Sequence, residues 1–352
     1  MRVIHFYPKY SPMGPSSRYR IYSYLPFYRK ANLEFSIAPL LGDWYLKRKW
    51  GHKSTMAIVP MIIISYLRRI LSVLLINKNS LAYIGADSLP GFPPLVEWIL
   101  VSRKIPYVIE FDDAVFHNYD RNWLLKNKYK YVISHASHII TGCQYLSDYV
   151  KQWNSKITEI PTSIDFNNYS KTSIKDKKDS IPIIGWIGST LSSGYLLPLI
   201  PTLKKLYQLK KFKLNLIGFD SNLKQHLSGL NYEIIKWSSE TEIEEMEKFT
   251  VGIMPLNDSP FERGKCAFKL VQYMAIGIPT VSTPLQSNIN INQGCGNLFA
   301  TTPEEWFYAL LDILNNSNKY TQVGEKNKEI ALSKYTFQNN WKIYFSILSS
   351  LI

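Results

Sequence analysis

The sequence has few cysteines and no pattern that would pair them. Its 352 residues include only Cys143, Cys266 and Cys295, and no two of them form a CxxC motif. This argues against a disulfide framework or a zinc site and favours a reducing compartment. The N-terminal residues form a short apolar run that stops at Pro8, without the long apolar core or cleavage site of a signal peptide. We therefore expect a cytoplasmic protein.

Acidic residues are scarce in the first 80 residues, which contain thirteen Lys and Arg but only Glu34 and Asp43. That region has a net charge of +11, whereas residues 181–352 carry about +2. Solubility would explain a total charge but not this asymmetry. No nucleic-acid-binding motif is present, so we expect no nucleic-acid partner. Attraction to an anionic membrane or a pyrophosphate-bearing substrate fits best, which predicts peripheral association with the inner face of the membrane.

Apolar runs long enough to cross a bilayer are also lacking. Met56–Leu67 is mostly apolar but contains Pro60, and an arginine pair separates it from Ile70–Ile76. Each run is too short to span, and arginines at mid-depth would be costly. The pattern favours a helix packed in the core. An interfacial helix is the alternative, which the aromatic and basic segment Trp44–Trp50 keeps open.

Short apolar, β-branched runs alternate with helical stretches along the whole chain, which predicts an α/β fold. Several runs end in Gly or Pro, as buried parallel strands do. Two such sets predict two doubly wound, Rossmann-like domains with a ligand cleft between them. The predicted strands are Val3–Tyr7, Phe35–Leu40, Leu81–Gly85, Tyr107–Phe111, His138–Gly142, Ile157–Pro161, Ile181–Gly188, Lys213–Phe219, Tyr232–Trp237, Val251–Pro255, Pro279–Thr283 and Asn297–Ala300.

The polar stretch Asn167–Ser180 is the best domain boundary, because its composition should keep it out of a core. We predict an N-terminal Rossmann-like domain at residues 1–166, a linker at 167–180 and a second Rossmann-like domain at residues 181–334. Residues 335–352 have an aromatic and apolar stripe and should form a closing helix.

The segment Val251–Pro284 carries the strongest functional signal. A strand and a loop precede a helix predicted from Gly264–Lys265 to Gly277, whose free N–H groups would suit a pyrophosphate. Lys265, Lys269 and Gln272 would then form one polar stripe, at i, i+4 and i+7. A solvated lysine face is the alternative, but the Gly-Lys start and the preceding Arg263 favour phosphate binding.

The sequence resembles glycosyltransferase family 4 over nearly its whole length. The resemblance rests on the segment YMAIGIPTVST and on PSSRYR (15–20), EFDDAVFH (110–117), IPTSID (160–165), GWIGST (185–190) and PFERGKCAFKLVQYMA (260–275). It points to a subgroup common in surface-polysaccharide gene clusters. It implies the GT-B fold, a nucleotide-sugar donor, retention at the anomeric carbon, and no cofactor beyond that donor.

Two departures from the family pattern stand out. The family's two glutamates fall here on Gly264 and Gln272, and Glu262, two residues before Gly264, is the candidate for the first one's catalytic role. The loop Gly188–Gly194 lacks the usual Arg and Lys, so the phosphate charge must be met elsewhere. The implied donor-binding residues are Gly188, Ser189, Thr190, Arg263, Gly264, Lys265, Lys269, Leu270 and Gln272.

In the first domain, Asp112 and Asp113 follow a predicted strand and should lie at the cleft edge. Their family counterparts position the donor sugar or the acceptor, so we predict a catalytic role for both. A helix N-cap with a surface carboxylate is a nearly equal alternative. A divalent metal held with His117 and Asp120 is less favoured, and we predict no metal.

The loop Ser11–Arg20 follows the first predicted strand and is the candidate acceptor site. Gly14 permits a close turn, and Arg18 and Arg20 could face an acceptor phosphate. An ordinary surface loop is the alternative.

These features together predict a glycosyltransferase that moves a sugar from a nucleotide diphosphate sugar to a membrane-associated, lipid-linked or polysaccharide acceptor. A nucleotide-sugar epimerase on the same fold and a non-catalytic scaffold are the alternatives.

Overall fold

The chain folds into two compact units, seen in a computed structural model that describes residues 3–173, 181–292 and 294–352. Unit 1 comprises Met1–Thr162, Pro260–Cys266 and Phe337–Ile352, and unit 2 comprises Ser163–Ser259 and Ala267–Thr336. Residues 260–266, which we expected in the second domain, therefore belong to unit 1. Residues 174–180 of the predicted linker lie outside the described residues.

Each unit is built on one parallel sheet of six strands, as the alternation of runs predicts. The strand order is β2-β1-β3-β4-β5-β6 in unit 1 and β12-β11-β10-β7-β8-β9 in unit 2. The strands are β1 (Ile4–Tyr7), β2 (Phe35–Ile37), β3 (Leu81–Gly85), β4 (Tyr107–Phe111), β5 (His138–Thr141), β6 (Ile157–Glu159), β7 (Ile183–Ile187), β8 (Lys213–Ile217), β9 (Tyr232–Ile235), β10 (Val251–Met254), β11 (Thr280–Ser282) and β12 (Leu298–Phe299). Every predicted strand is present, mostly shortened at its ends, and the predicted fold class is confirmed.

Helices connect the strands and cover both sheets. In chain order they are α1 (Pro15–Arg20), α2 (Leu25–Lys30), α3 (Asp43–Trp50), α4 (Val59–Leu75), α5 (Leu95–Ser102), α6 (Lys128–His135), α7 (Gln144–Val150), α8 (Phe166–Tyr169), α9 (Ile200–Leu209), α10 (Glu242–Glu247), α11 (Pro260–Arg263), α12 (Phe268–Ile276), α13 (Gln286–Asn292), α14 (Pro303–Asn315), α15 (Ser317–Lys334) and α16 (Phe337–Ser349). Short 3₁₀ turns lie at Tyr22–Tyr24, Met56–Ile58, Val115–Tyr119, Thr190–Leu199 and Ser221–Leu227.

The last helix, α16, packs on unit 1 through aromatic side chains. The Tyr344 ring lies 4.6 Å from that of Tyr24, and the Trp341 ring lies 4.7 Å from that of Tyr28. Tyr344 is fully buried and its hydroxyl donates to the Glu110 carboxylate on β4. The aromatic stripe of the sequence is therefore the core-facing side of this helix.

In unit 2, α12 is the best-buried helix, with seven of its nine residues inside the core. The Tyr273 hydroxyl accepts a 3.0 Å hydrogen bond from the Ile187 amide at the end of β7. The Tyr273 ring lies against Gly252 on β10, where a Cβ atom would come within 2.5 Å of it. Only glycine lets this helix pack so closely on the sheet. The contact fixes α12 at the carboxyl end of β7.

Helix α4 contradicts the expectation of a helix packed in the core. It runs unbroken through the arginine pair, because Pro60 falls in its first turn, where a proline removes no helical hydrogen bond. Large apolar side chains on its outer side, such as Leu67 and Leu71, are more than half exposed. Met56–Leu75 is one helical stretch that is long and apolar enough to cross a membrane by length and composition, and only 17% of its 18-residue apolar window is buried.

The described part of the predicted linker also differs from expectation. Tyr169 at the end of α8 is buried in the apolar core of unit 2. Thr172 is buried too, and both its hydroxyl and its carbonyl accept hydrogen bonds from Lys328 on α15. The polar composition of this stretch hid these two anchoring residues.

Candidate functional site

The carboxyl edge of the unit 1 sheet brings together charged residues that are far apart in the sequence. Asp112 and Asp113 follow β4, and the Lys265 ammonium lies 3.7 Å from the Asp113 carboxylate. The thiol of Cys266 donates a 3.0 Å hydrogen bond to the Asp112 carbonyl. A Cβ on Gly264 would lie 2.5 Å from that of Ala114, so glycine permits this approach. The segment that we predicted as a helix start thus supplies a cation to the predicted catalytic aspartates.

Asp113 is the most strongly perturbed acid at this edge. Burial and the neighbouring Asp112 raise its pKa, the Lys265 and Lys9 ammonium groups lower it, and the resulting pKa is about 6. Burial and the charges of Asp112 and Asp113 likewise raise the pKa of Tyr10 to about 12. A carboxylate with a pKa near 6 is ionised at neutral pH and can accept a proton from a bound hydroxyl.

The N-cap alternative for the two aspartates is wrong. The 3₁₀ turn Val115–Tyr119 begins after Ala114, and no side chain caps it. Asp112 and Asp113 are both half-buried at the carboxyl edge instead. Their carboxylates therefore do not cap the start of a helix.

Arg20 lies inside unit 1, contrary to the expectation that it faces an acceptor. Residues 15–20 form α1 rather than a loop, so Arg18 and Arg20 point in different directions. The Arg20 guanidinium is 5% exposed, donates a 2.6 Å hydrogen bond to the Ile160 carbonyl, and lies 3.3 Å from Glu110. Burial raises the pKa of Glu110 and the Arg20 charge opposes the shift. This pair is part of the core.

Of the other two predicted acceptor residues, Arg18 lies on α1 and Gly14, which is buried, lies at its start. The Arg18 guanidinium lies 4.9 Å from the Tyr19 ring centre and is half-buried. Gly14 is the N-cap residue of α1, and a Cβ there would lie 2.5 Å from that of Tyr10. Gly14 therefore allows α1 to begin beside Tyr10, at the carboxyl edge of β1.

The polar residues considered for a metal are engaged with protein groups. The two ring nitrogens of His117 lie 2.7 Å from Asp120 and 2.9 Å from the Tyr145 hydroxyl. Across residues 3–173, 181–292 and 294–352, no cluster of three or more His, Cys, Asp or Glu side chains could hold a metal ion.

In unit 2, the loop after β7 turns sharply into the 3₁₀ turn Thr190–Leu199. Ser189 and Ser192 form a reciprocal capping box, in which the Ser192 hydroxyl accepts a 3.0 Å hydrogen bond from the Ser189 amide. Gly188 lies so close to the Trp186 ring that no Cβ would fit there. The Thr190 hydroxyl is buried without a hydrogen-bond partner. The loop thus presents small groups at the carboxyl end of β7.

The predicted stripe of Lys265, Lys269 and Gln272 is wrong as a helical arrangement. Helix α12 begins at Phe268, and Ala267 before it has a positive φ of 50°, which turns the chain at this point. Lys265 precedes this turn and belongs to unit 1. Only Lys269 and Gln272 share the helix.

The two remaining stripe residues have different surroundings in unit 2. The Lys269 ammonium lies 4.3 Å from the centre of the Trp186 ring, a cation–π contact. Gln272 is 3% exposed, and its amide donates a 3.1 Å hydrogen bond to the Tyr169 hydroxyl. The Leu270 side chain lies in the apolar core. Lys269 is therefore the half-exposed cation that α12 presents next to the β7 end.

Glu262 and Arg263 lie on α11, in unit 1. Glu262 is 8% exposed and its carbonyl accepts from the Lys265 amide at 3.0 Å, whereas Arg263 is exposed. The turn from Glu262 to Lys265 places the Lys265 ammonium near the Asp113 carboxylate. Glu262 and Arg263 therefore belong to unit 1 and are not part of the start of α12.

Sequence reasoning missed three residues at these edges. Lys9 and Tyr10 follow β1: the Lys9 ammonium lowers the pKa of Asp113, and the charges of Asp112 and Asp113 raise the pKa of Tyr10. Tyr169 holds Gln272 in unit 2. The position of Lys9 and Tyr10 directly after the first strand was a usable signal, because the carboxyl ends of parallel strands meet at one edge.

Residues 181–316 match the family model described as Glycosyl transferases group 1. The match supports a glycosyltransferase domain in this part of the chain, and the predicted enzyme class, a glycosyltransferase, is confirmed. The match ends before α15 and does not extend into the first 180 residues. A search among curated proteins gave no significant match to the chain.

Solved structures similar to the chain are glycosyltransferases with the GT-B fold. HepE from Anabaena, in complex with UDP, has a TM-score of 0.71 and 14% identity, covering 99% of this chain and 100% of that one. Sucrose-phosphate synthase from Thermosynechococcus elongatus has a TM-score of 0.72 and 10% identity, with the same coverage of both chains. The lipopolysaccharide outer core galactosyltransferase WaaB has a TM-score of 0.67 and 9% identity, again covering 99% of this chain and 100% of that one. At these identities the likeness confirms the predicted GT-B fold.

Proposed function

We propose that this glycosyltransferase moves a sugar from a uridine diphosphate sugar to a hydroxyl group of a saccharide or lipid-linked acceptor at the membrane surface. The observation that carries the proposal is the Asp113–Lys265 pair, a perturbed carboxylate and a cation at the carboxyl edge of unit 1. The group 1 match of residues 181–316 supports the transfer of a sugar.

Unit 2 is the donor-binding unit in this proposal. HepE was crystallised with UDP and with UDP-glucose, which supports a uridine nucleotide as the donor class. The unpartnered Thr190 hydroxyl and the Lys269 ammonium lie at or beside the end of β7, where a pyrophosphate would need a hydrogen-bond donor and a cation. Gln272, already held by Tyr169, would hydrogen-bond the ribose. Gly188, Ser189 and Leu270 are the other candidate donor residues of unit 2, whereas Arg263, Gly264 and Lys265, which the sequence also assigned to the donor, belong to unit 1.

The carboxyl edge of unit 1 is the acceptor-binding edge. Asp113 is ionised at neutral pH because its pKa is about 6, and it accepts the acceptor's hydroxyl proton or orients that hydroxyl. Lys265 stabilises the carboxylate, and Asp112 and Glu262 stay candidate catalytic residues. Retention of the anomeric configuration rests on the resemblance to glycosyltransferase family 4.

The biological setting that we propose is surface-polysaccharide or lipopolysaccharide synthesis at the inner face of the membrane. The structural likeness to WaaB, a lipopolysaccharide outer core galactosyltransferase, supports this setting. The excess of Lys and Arg in residues 1–80 supports an anionic membrane partner.

The test begins with the donor. UDP, GDP and ADP are titrated into the protein by calorimetry, and a panel of UDP-sugars is then incubated with it. We expect UDP to bind most tightly and a UDP-sugar to be slowly hydrolysed. Formation of a sugar isomer would instead indicate an epimerase, and no binding of any nucleotide would indicate a scaffold. With an acceptor found, NMR of the product gives the anomeric configuration, and an inverted product would contradict retention.

The catalytic assignment has its own variant. Asp113→Asn keeps the size of the side chain but removes the base, so transfer should fall by about 10²–10⁴-fold while UDP affinity stays unchanged. Asp148→Asn is the matched control, because Asp148 is an exposed carboxylate on α7 that contacts Lys151 and Gln144 at the surface. Equal transfer rates in the two variants would remove Asp113 from the mechanism.

A further inference from the structure

The outer side of α4 is an apolar surface that unit 1 leaves uncovered. Six large apolar residues form this α4 outer face: Ile63, Ile64, Leu67, Leu71, Leu74 and Leu75. They recur at spacings of three and four residues, so they lie along one side of the helix. Surface helices normally turn such a stripe inward, and a contiguous exposed one marks an interaction site. The orientation of α4 is thus the reverse of an ordinary surface helix.

The opposite side of α4 fixes the helix to the sheet. Arg69 is 2% exposed and donates hydrogen bonds to the carbonyls of Pro8 and Ala38, at 2.9 and 2.8 Å. The Tyr66 hydroxyl donates to the Pro90 carbonyl at 2.8 Å, and Val73 is fully buried. A helix that crossed a bilayer would have to break these bonds. Helix α4 therefore stays packed on unit 1 and exposes only its outer face to a membrane.

The C-terminal end of α4 is also held by protein. The Arg103 guanidinium donates 2.8 Å hydrogen bonds to the carbonyls of Val73, Leu74 and Ile76. These carbonyls would otherwise lack helical partners. Three carbonyls at this helix end are therefore hydrogen-bonded within the protein, as contact with an apolar medium favours.

The charges on α4 and in the chain on either side of it are of one sign. Residues 44–86 contain no Asp or Glu, whereas they include seven Lys and Arg. Lys47, Lys53, Arg68 and Lys78 are exposed among them. Phe92, which is 51% exposed, packs edge-on against Tyr66 and adds an aromatic side chain next to the face. Cations and aromatic rings beside an apolar helix suit the headgroup region of an anionic bilayer.

We propose that α4 is a membrane-inserting helix that lies in the plane of an anionic bilayer, with its outer face among the acyl chains and the neighbouring cations among the headgroups. This deepens the proposed function, on which its membrane setting rests, by assigning the contact to one side of one helix. Apolar insertion, rather than charge alone, then dominates binding. A charge-only contact would be released by salt, whereas inserted leucines are not screened.

The experiment is sedimentation of the whole protein with vesicles of phosphatidylcholine, alone or mixed with phosphatidylglycerol, at low and high salt. The test variant is Leu67→Gln with Leu71→Gln, which changes two side chains that are 54% and 55% exposed. The matched control is Leu209→Gln, at the end of α9 in unit 2, whose side chain is 66% exposed. Neither change should alter the thermal melting temperature by much, because surface substitutions are nearly neutral.

We expect the wild type to bind the mixed vesicles and to keep part of that binding at high salt. The affinity of the double variant for these vesicles should be lower by roughly tenfold or more at both salt concentrations, since two apolar side chains no longer insert among the acyl chains. The Leu209→Gln control should bind like the wild type. Equal binding of the double variant and the control, or complete release of the wild type by salt, would overturn the proposal.

Two further measurements separate the alternatives. If the α4 outer face pairs two copies of the chain, sedimentation velocity will show a dimer that the double variant dissociates without loss of vesicle binding, and the proposal fails. UDP titration addresses the proposed function separately, because Thr190, Lys269 and Gln272, which would hold the donor, lie in unit 2 and not on α4. Vesicle binding that depends on Leu67 and Leu71 without any UDP binding would leave the membrane helix standing and refute the enzymatic proposal.

Discussion

Replacing Lys265 by methionine should move the acid limb of the enzyme's pH profile to higher pH. The Lys265 ammonium lies 3.7 Å from the Asp113 carboxylate, and the two side chains are 23% and 39% exposed. Burial and Asp112 both favour protonated Asp113, whereas Lys265 opposes them. Removing the cation leaves the two upward effects, so the pKa of Asp113 should rise from about 6.

The size of this rise follows from the exposure of the pair. A solvent-screened ion pair of this kind contributes about 0.2–1 kcal/mol, and 1.36 kcal/mol corresponds to about one pH unit. The pKa of Asp113 should therefore increase by roughly 0.2–0.7 pH unit. For an increase of about 0.5, the ionised fraction at pH 6 falls from about one half to about one quarter, whereas at pH 8 the carboxylate is ionised in both proteins.

The assay is kcat/KM for the acceptor between pH 5 and 9, because this quantity reports the protonation of the free enzyme. Lys248→Met is the matched control, since Lys248 makes a surface ion pair with Glu245 in unit 2. It should leave the acid limb in place, and Asp113→Asn should abolish the limb. An unchanged limb in Lys265→Met, or a shift to lower pH, would refute the assignment of Asp113 as the ionising group.

Three further outcomes are expected. Lys269→Met should weaken UDP binding about ten- to a hundredfold by calorimetry, because a charge-assisted phosphate contact contributes roughly 1.5–3 kcal/mol, and unchanged affinity would place the pyrophosphate elsewhere. Gly142→Ala should lower the free energy of unfolding by about 1–3 kcal/mol in a urea titration, because the added Cβ overlaps the Arg20 guanidinium and the Cys266 sulfur; a neutral result would mean that this packing is loose. Activity should persist in EDTA, since the His117 ring nitrogens already contact Asp120 and Tyr145; loss that magnesium or manganese restores would show a metal requirement.

The strands could be predicted from the sequence because each carries its own local signal. A buried parallel strand is a short run of apolar residues, and the bounds predicted for Leu81–Gly85 and Tyr107–Phe111 agree with the structure to the residue. Asp113 was also predictable, because it follows such a strand directly. These features depend on neighbours in the chain.

The start of α12 and the place of Lys265 could not be predicted in this way. Helical spacing made Lys265 and Lys269 look like neighbours, but the positive φ of Ala267 separates them, and alanine gives no warning of it. The partner of Lys265 is Asp113, which is distant in the sequence, and only the folded chain brings the two together. The exposure of α4 could not be predicted either, because its composition is that of a buried helix and the packing of unit 1 decides which of its side chains are covered.

The hydrogen bond between Tyr344 and Glu110 has a consequence for how the protein is made. Unit 1 is assembled from three separate stretches of chain, and the last of them, Phe337–Ile352, emerges from the ribosome after all of unit 2. Until then the buried Glu110 carboxylate lacks one of its hydroxyl donors, and Tyr24 and Tyr28 lack the aromatic rings that cover them. Unit 2 can complete its core as soon as Thr336 has emerged, while unit 1 waits with an exposed aromatic surface. A nascent chain stalled before residue 337 should therefore be a preferred client of chaperones that bind apolar segments.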